Sequence, residues 1–141
     1  MASLGRDLKN IILKHKTVAL VYATVNAVDK NANTMSVSIG GEVTIPDISL
    51  SVIEGGNANA LLYPKLQSII VLGFVEDRPE LSFPVSFSEV DEAVIRFDFG
   101  SETPQDSIIA NKTEISIVRG NTSLKMDGTT VDINNGHLTI T

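Results

Sequence analysis

Short triplets of the form apolar–polar–apolar follow one another through the last thirty residues of the chain. They lie at 115–117, 124–126, 131–133 and 138–140, and the last three begin seven residues apart. Alternation with a period of two gives a strand one apolar and one polar face. We therefore predict a succession of very short strands, each with one face that has to be covered.

The residues between these triplets favour tight turns. Arg119-Gly120, Asp127-Gly128 and Asn135-Gly136 are pairs that tolerate the positive φ angles of such turns. A strand of three or four residues buries too little surface to be stable alone, and even an isolated hairpin is marginal. The tail therefore needs a partner, and another copy of the same chain is the simplest one.

An amphipathic segment is predicted at the other end. Leu4, Leu8, Ile11 and Ile12 fall on one stripe of a helix, so residues 1–16 are expected to form a short helix, with a frayed terminus as the alternative. From residue 17 the pattern changes to strands rich in β-branched residues. The polar segment 100–105, which contains Pro104, is the best linker between this body and the tail.

The body, residues 17–103, is predicted to hold five or six strands and one short helical insert. In its first strand Ala19, Ala23 and Ala27 are expected to share a face, and the insert is expected at 58–63, before Pro64. The apolar strand at 68–76 is expected to be covered on both faces. Four phenylalanines fall in alternating patterns and are predicted to lie in the core: Phe83, Phe87, Phe97 and Phe99.

This organisation predicts a mainly all-β protein. A helix at 1–16 would precede an OB-like antiparallel barrel at 17–103, and a tail of short strands would follow at 104–141. The strand count and size fit the OB-fold. An ordinary β-sandwich fits them as well, so the pattern alone does not decide between the two.

Composition excludes several classes of function. The net charge is −6, which argues against duplex nucleic acid as a ligand because phosphate binding depends on Lys and Arg. The chain has no cysteine, so disulfides, thiolate metal sites and a cysteine nucleophile are excluded. No signal peptide and no membrane span are evident, so we expect a protein made in the bacterial cytoplasm.

No catalytic residue, cofactor or metal site is predicted, and the protein is not expected to be an enzyme. His137 is the best metal candidate, because three copies on a threefold axis would present three imidazoles. A lone histidine beside a glycine turn is more often a solvated group. The acidic residues could imitate the carboxylate pair of a glycosidase, but they flank turns and favour a solvated loop: Glu76, Asp77, Glu80, Glu89, Asp91 and Glu92.

Two stretches resemble the central spike proteins of contractile phage tails and of type VI secretion systems. One is 63–77, where a proline, a small loop, an apolar strand with Phe74 and an acidic turn follow one another. The other is the tail punctuated by Asp127-Gly128 and Asn135-Gly136, which resembles the start of an intertwined trimeric β-helix or prism. The tail is too short for a long needle, there is no inserted hydrolase domain, and only His137 stands where some spikes carry a His-x-His motif.

The resemblance implies a homotrimeric structural protein of a virion tail or phage-like particle. Its OB-fold base would contact tail hub and baseplate proteins, with the N-terminal helix docking to the neighbouring hub proteins. Its β-structured tip would contact or puncture the bacterial envelope, with or without a tip-capping protein. No nucleic-acid partner is expected. The alternative is a non-enzymatic OB-fold adaptor that binds carbohydrate or protein.

Overall fold

The computed structural model describes residues 19–55, 58–75, 78–97 and 106–140, and within them every regular element is a β-strand. The all-β class is therefore confirmed for these residues, whereas the helix expected at 1–16 lies outside them. The described residues contain no helix long and apolar enough to cross a membrane. The strands are β1 (Ala19–Asp29), β2 (Thr34–Ile39), β3 (Val43–Ser49), β4 (Ser51–Gly55), β5 (Ala58–Pro64), β6 (Ile69–Val75), β7 (Arg78–Phe87), β8 (Val90–Phe97), β9 (Asp106–Asn111), β10 (Ile115–Arg119), β11 (Thr122–Met126), β12 (Val131–Ile133) and β13 (Leu138–Ile140).

The strands form two antiparallel sheets. The first, which we call the curled sheet, has the order β3-β2-β1-β6-β7, and its edge strands β3 and β7 approach each other. The second, the long sheet, has the order β13-β12-β11-β10-β9-β8-β5-β4. It contains strands from both sides of the expected boundary at 103/104, because β8 pairs with β9. The division into body and tail stays a prediction.

The core lies between the inner face of the curled sheet, which is a half-barrel, and strands β5 and β8 of the long sheet; we call this core-containing unit the barrel. Tyr63 and Leu61 of β5 and Val94 of β8 are buried against the curled sheet. The Tyr63 hydroxyl donates a 2.6 Å hydrogen bond to Asn33 Oδ1, so this ring is buried with its polar atom satisfied. The remaining core side chains come from β1, β2, β3, β6 and the residue after β3: Ala23, Val25, Met35, Val37, Ile45, Ile48, Leu50, Ile70, Leu72 and Phe74.

The predicted helical turn at 58–63 is wrong, because these residues lie in strand β5. Leu61 and Tyr63 point into the core, and the strand pairs with β4 on one side and β8 on the other. Short apolar runs of this kind do not distinguish a strand from a helix by periodicity. Long-range pairing therefore decided the conformation.

A bulge in β1 separates the three alanines that were expected to share a face. Ala23 is buried, but the register with β2 shifts between Val25 and Ala27, and Ala27 is exposed. A bulge adds one residue to one strand and so reverses the faces of the residues beyond it. Only Ala19 and Ala23 retain the expected common face.

The expectation that β6 is covered on both faces and that the phenylalanines lie in the core is wrong for Ile69 and Phe83, on the outer side of the curled sheet, and for Phe97, on β8 of the long sheet. Ile69 is 54% exposed, Phe83 is 39% exposed and Phe97 is 36% exposed. Phe83 pairs with Gly73 on the outer face, whereas Phe87 packs against the core beyond a register shift. Phe99 lies outside the described residues.

Truncation of a core leucine tests the assignment of the inner face. Leu72 is fully buried, so Leu72→Ala is expected to lower the free energy of unfolding by about 2–5 kcal/mol. Leu66→Ala is the matched control because Leu66 is 55% exposed, and its effect should stay within about 0.5 kcal/mol. Urea unfolding followed by far-UV circular dichroism measures both. Equal effects would show that Leu72 does not face the core.

Candidate assembly interface

Two rows of apolar side chains cross the long sheet, with one residue of each row in every strand that the row crosses. The first row runs from β8 to β13 and consists of Ile95, Ile108, Ile117, Leu124, Ile133 and Leu138. The second row runs from β8 to β12 and consists of Ala93, Ala110, Ile115, Met126 and Val131. Residues directly opposite each other in antiparallel strands project from the same side of the sheet. The two rows therefore form one continuous surface, which we call the apolar face.

The triplets of the tail produce this surface directly. In β10, β11 and β12 the two apolar residues of a triplet belong to different rows, and the polar residue between them lies on the other side of the sheet, as with Leu124, Lys125 and Met126. The two rows continue without a break only if every hairpin keeps its register, since a slip of one residue would move a strand's apolar side chains to the opposite side. The turns are therefore part of the site.

Side-chain acceptors hold these turns, and positive φ angles occur at Gly120 and Gly136 but not at Gly128, where one was expected. Between β12 and β13, Asn134, Asn135 and Gly136 have φ angles of 55°, 53° and 93°. The Asp132 carboxylate accepts a 2.6 Å hydrogen bond from the Gly136 N–H. Asparagine and glycine enter this region of φ at low cost, so the Asn-Gly pair identified in the sequence has a direct structural reason.

The side opposite the apolar face is polar in the tail apart from Val118 of β10. Ser116, Lys125 and Asp132 stand next to one another across β10, β11 and β12. Closer to the barrel the same side is apolar, with Val94 buried and Ile109 packed against the core. The barrel therefore uses one side of the long sheet, and the apolar face points away from it.

The apolar face is not covered by any other part of the described chain. Ile117 is 40% exposed, Ile115 is 44% exposed and Leu138 is 53% exposed. Among the side chains described after Val94, no hydrophobic one is buried. Soluble proteins rarely leave a continuous apolar surface of this extent in water, and such surfaces mark interaction sites.

Three of the carboxylates considered for glycoside hydrolysis pair with cations instead of with each other, and Asp91 is exposed. Glu80 lies 2.7 Å from Arg78, Glu89 lies 2.6 Å from Lys65, and the Glu92–Lys30 distance is 3.0 Å.

The pKa of Glu80 is lowered by a hydrogen bond that its carboxylate accepts from the Glu80 backbone N–H and by another that it accepts from Arg78. A general acid needs a raised pKa, so this shift has the opposite direction. Glu76 and Asp77 lie outside the described residues.

His137 lies in the exposed turn between β12 and β13. Among the residues that the structure describes, no three histidine, aspartate or glutamate side chains are grouped in a way that would hold a metal ion.

Strand β9 contributes to the apolar face but was missed in the sequence. It contributes Ile108 and Ala110 to the apolar face and Ile109 to the barrel side. Its sequence, DSIIAN, has adjacent isoleucines, because one faces each side of the sheet where the tail leaves the barrel. The consecutive apolar residues hide the alternation that identified the later strands.

The turn after β11 is held by a single carboxylate. Asp127 Oδ1 accepts hydrogen bonds from the Thr129 N–H at 2.8 Å, the Thr130 N–H at 2.8 Å and the Thr129 hydroxyl at 3.0 Å. These bonds, led by the one from the Thr129 N–H, lower the pKa of Asp127 to about 2. Asn111 makes the same turn with its amide oxygen as the acceptor for Thr113 and Glu114.

With the geometry described, comparison with known proteins adds no family. No protein-family model matches the chain, and neither the curated proteins nor the solved structures include a significant match.

The Asp127 turn gives a pH-dependent prediction. The folded-state pKa of about 2 lies below the ordinary value of 3.8. The contribution of the turn to stability is therefore present above pH 3.8 and is lost as the pH falls through about 2. Asp127→Asn keeps an acceptor, as Asn111 shows, and should remove this dependence between pH 4 and 2. Amide hydrogen exchange of Thr129 and Thr130 measures it, and identical pH profiles in the two proteins would contradict it.

Two adjacent residues of β11 test whether the apolar face drives assembly. Leu124→Gln places an amide on the apolar face, whereas Lys125→Gln places the same amide on the polar side. A buried amide without a partner costs about 1–3 kcal/mol, and the substitution also removes the apolar packing of the leucine. Leu124→Gln is therefore expected to shift the protein towards monomer in sedimentation velocity, and Lys125→Gln is expected to sediment like the parent. Loss of assembly in both variants, or in neither, would contradict the assignment.

Proposed function

We propose that this protein is a structural, non-enzymatic component of the tail spike or baseplate of a phage or phage-like contractile injection apparatus, and that it acts as a homotrimer. The observation that carries the proposal is the apolar face: a one-layer sheet with two unbroken apolar rows on one side and polar residues on the other. Enzymatic activity does not require such a surface. A rod assembled from several identical strips requires it, because each strip buries the apolar side chains of the others.

The dimensions of the tail suit a narrow rod. From β8 to β13 there are five strand intervals, which at about 4.8 Å each give a length of about 24 Å. The tail strands after β9 have three to five residues, so each strip is about 10–17 Å wide at about 3.3 Å per residue. Three such strips around an axis enclose a core that the two apolar rows of each chain can fill. The interior then excludes water, and the polar side chains of Lys125 and Asp132 stay outside it.

The barrel supports the proposed base of the spike. Five antiparallel strands curl until β3 and β7 approach each other, which is the size and partial closure of an OB-fold. The β4–β5 hairpin occupies the chain position of the expected helical insert and carries the barrel into the long sheet. In the proposed assembly the barrel end meets tail hub and baseplate proteins.

The other end of the long sheet is directed towards the bacterial envelope. Its last strand, β13, pairs with β12 on one side, and the described chain provides no strand for its other side. An exposed edge is a template for another chain, so a capping protein or the envelope itself would be met here. Mechanical rigidity comes from hydrogen bonds along the rod and from apolar packing across it.

Molar mass in solution tests the assembly. Multi-angle light scattering at micromolar concentration should give three times the chain mass of 15.1 kDa. Twice this mass would indicate two sheets packed face to face and would contradict the threefold rod. A monomer with an ordered tail would contradict assembly altogether and would favour the adaptor alternative.

Location in a particle tests the biological role. Gold-labelled antibodies against the barrel should bind at the distal end of contractile tails prepared from the cells that make the protein. The control is to open the baseplate with detergent, so that a hidden barrel can also be labelled. If the particles then remain unlabelled and only free protein is labelled, a spike role is contradicted even if the chain is trimeric.

A further inference from the structure

The curled sheet carries a second apolar surface, separate from the apolar face of the long sheet. It consists of Leu20, Tyr22, Ile69, Val71 and Phe83 on β1, β6 and β7, and we call it the outer patch. Tyr22 is 75% exposed, Leu20 is 61% exposed and Ile69 is 54% exposed. These residues lie on the side of the curled sheet that faces away from the core, so trimerisation through the long sheet does not explain them.

The register of the strands makes the outer patch continuous. Leu20, Gly73 and Phe83 stand next to one another across the three strands, and Tyr22 pairs with Val71 in the adjacent row. The Phe83 ring lies directly over Gly73, where an added Cβ would come within 2.5 Å of the ring. Gly73 therefore lets the Phe83 ring lie close against β6, and the patch is a surface without a protruding side chain at this point, on which a helix can pack.

We propose that residues 1–16 of the same chain cover the outer patch as an amphipathic helix. Leu4, Leu8, Ile11 and Ile12 form an apolar stripe, and residues 1–18 contain no second apolar stripe against which it could pack. The chain enters β1 at Ala19, and the next residue, Leu20, already belongs to the patch. The segment therefore ends near the border of the surface it would cover, and only two residues separate it from β1.

The lengths of the two surfaces agree. The stripe from Leu4 to Ile12 spans eight residues, or about 12 Å at about 1.5 Å per helical residue. The segment of β1 from Leu20 to Thr24 spans four residues, or about 13 Å at about 3.3 Å per strand residue. A helix laid antiparallel to β1 would thus match the patch along its whole length.

Charge also favours this occupant. Lys14, His15 and Lys16 immediately precede β1. Because Ala19 pairs with Phe74, the start of β1 lies beside the end of β6, and the sequence that follows β6 is Glu76-Asp77. Opposite charges at this corner favour a segment 1–16 that folds back onto the curled sheet rather than one that extends into solvent.

Engineered cysteines provide a direct test, because the chain has none of its own. Leu8→Cys combined with Tyr22→Cys should form an intrachain disulfide in most of the protein under mild oxidation, since both positions face the proposed contact. Leu8→Cys combined with Lys125→Cys is the matched control and should show only background crosslinking. Mass spectrometry of unreduced peptides and non-reducing gels distinguish crosslinks within a chain from crosslinks between chains.

Each result of this test decides the proposal. Crosslinks between chains would overturn it by assigning the patch to a second copy. Equal yields in the two pairs would overturn it by showing undirected collision, and no crosslink in the full-length protein would leave the patch to a different protein. None of these results affects the trimer, which depends on the long sheet.

Tyrosine fluorescence gives an independent measurement without a disulfide. The chain has two tyrosines and no tryptophan, so Tyr63→Phe leaves Tyr22 as the single emitter. In that background Leu8→Gln with Ile12→Gln should increase acrylamide quenching of Tyr22 several-fold, whereas Lys9→Gln should not. Quenching of Tyr22 in the parent as strong as that of a free tyrosine amide would overturn the proposal.

Discussion

A one-layer sheet with one apolar side cannot remain in water, and the tail of this protein is such a sheet. From β10 to β13 each strand has three to five residues. Hydrogen bonds join these strands to one another, but no layer of the described chain covers their apolar side chains. Burial of apolar surface is the main favourable contribution to folding and association. The stability of the tail is therefore inseparable from what covers the apolar face.

The barrel sets the position and register of that face. Leu61 and Val94 fix β5 and β8 against the core, and Ile109 extends the same contact to β9. Each later strand is then placed by pairing with the one before it. The tail is thus a continuation of a sheet that the barrel has already oriented, and its apolar side points away from the barrel because the barrel occupies the other side.

Local rules were sufficient where alternation is regular and failed where tertiary contacts changed it. The triplets 124–126, 131–133 and 138–140 could be predicted, since apolar and polar residues alternate in each and residues suited to turns lie between them. Strand β5 could not, because Leu61 and Leu62 are apolar on both sides of the sheet. The bulge after Val25 moved Ala27 to the opposite face, and register shifts in β7 placed Phe83 outside and Phe87 inside. The two rows of the apolar face depend on which residues pair across strands, and hairpin lengths alone did not predict that pairing.

Solvent accessibility of single methyl groups tests the central claim most directly. In a methyl-labelled sample with a soluble paramagnetic probe, Ile117 and Ile133 should be broadened as little as the core residue Ile70. Val43, 56% exposed on the edge strand β3, gives the reference for a methyl in water. Broadening of Ile117 and Ile133 equal to that of Val43, with β10 to β12 still paired, would show that the apolar face is open in solution and would contradict the account.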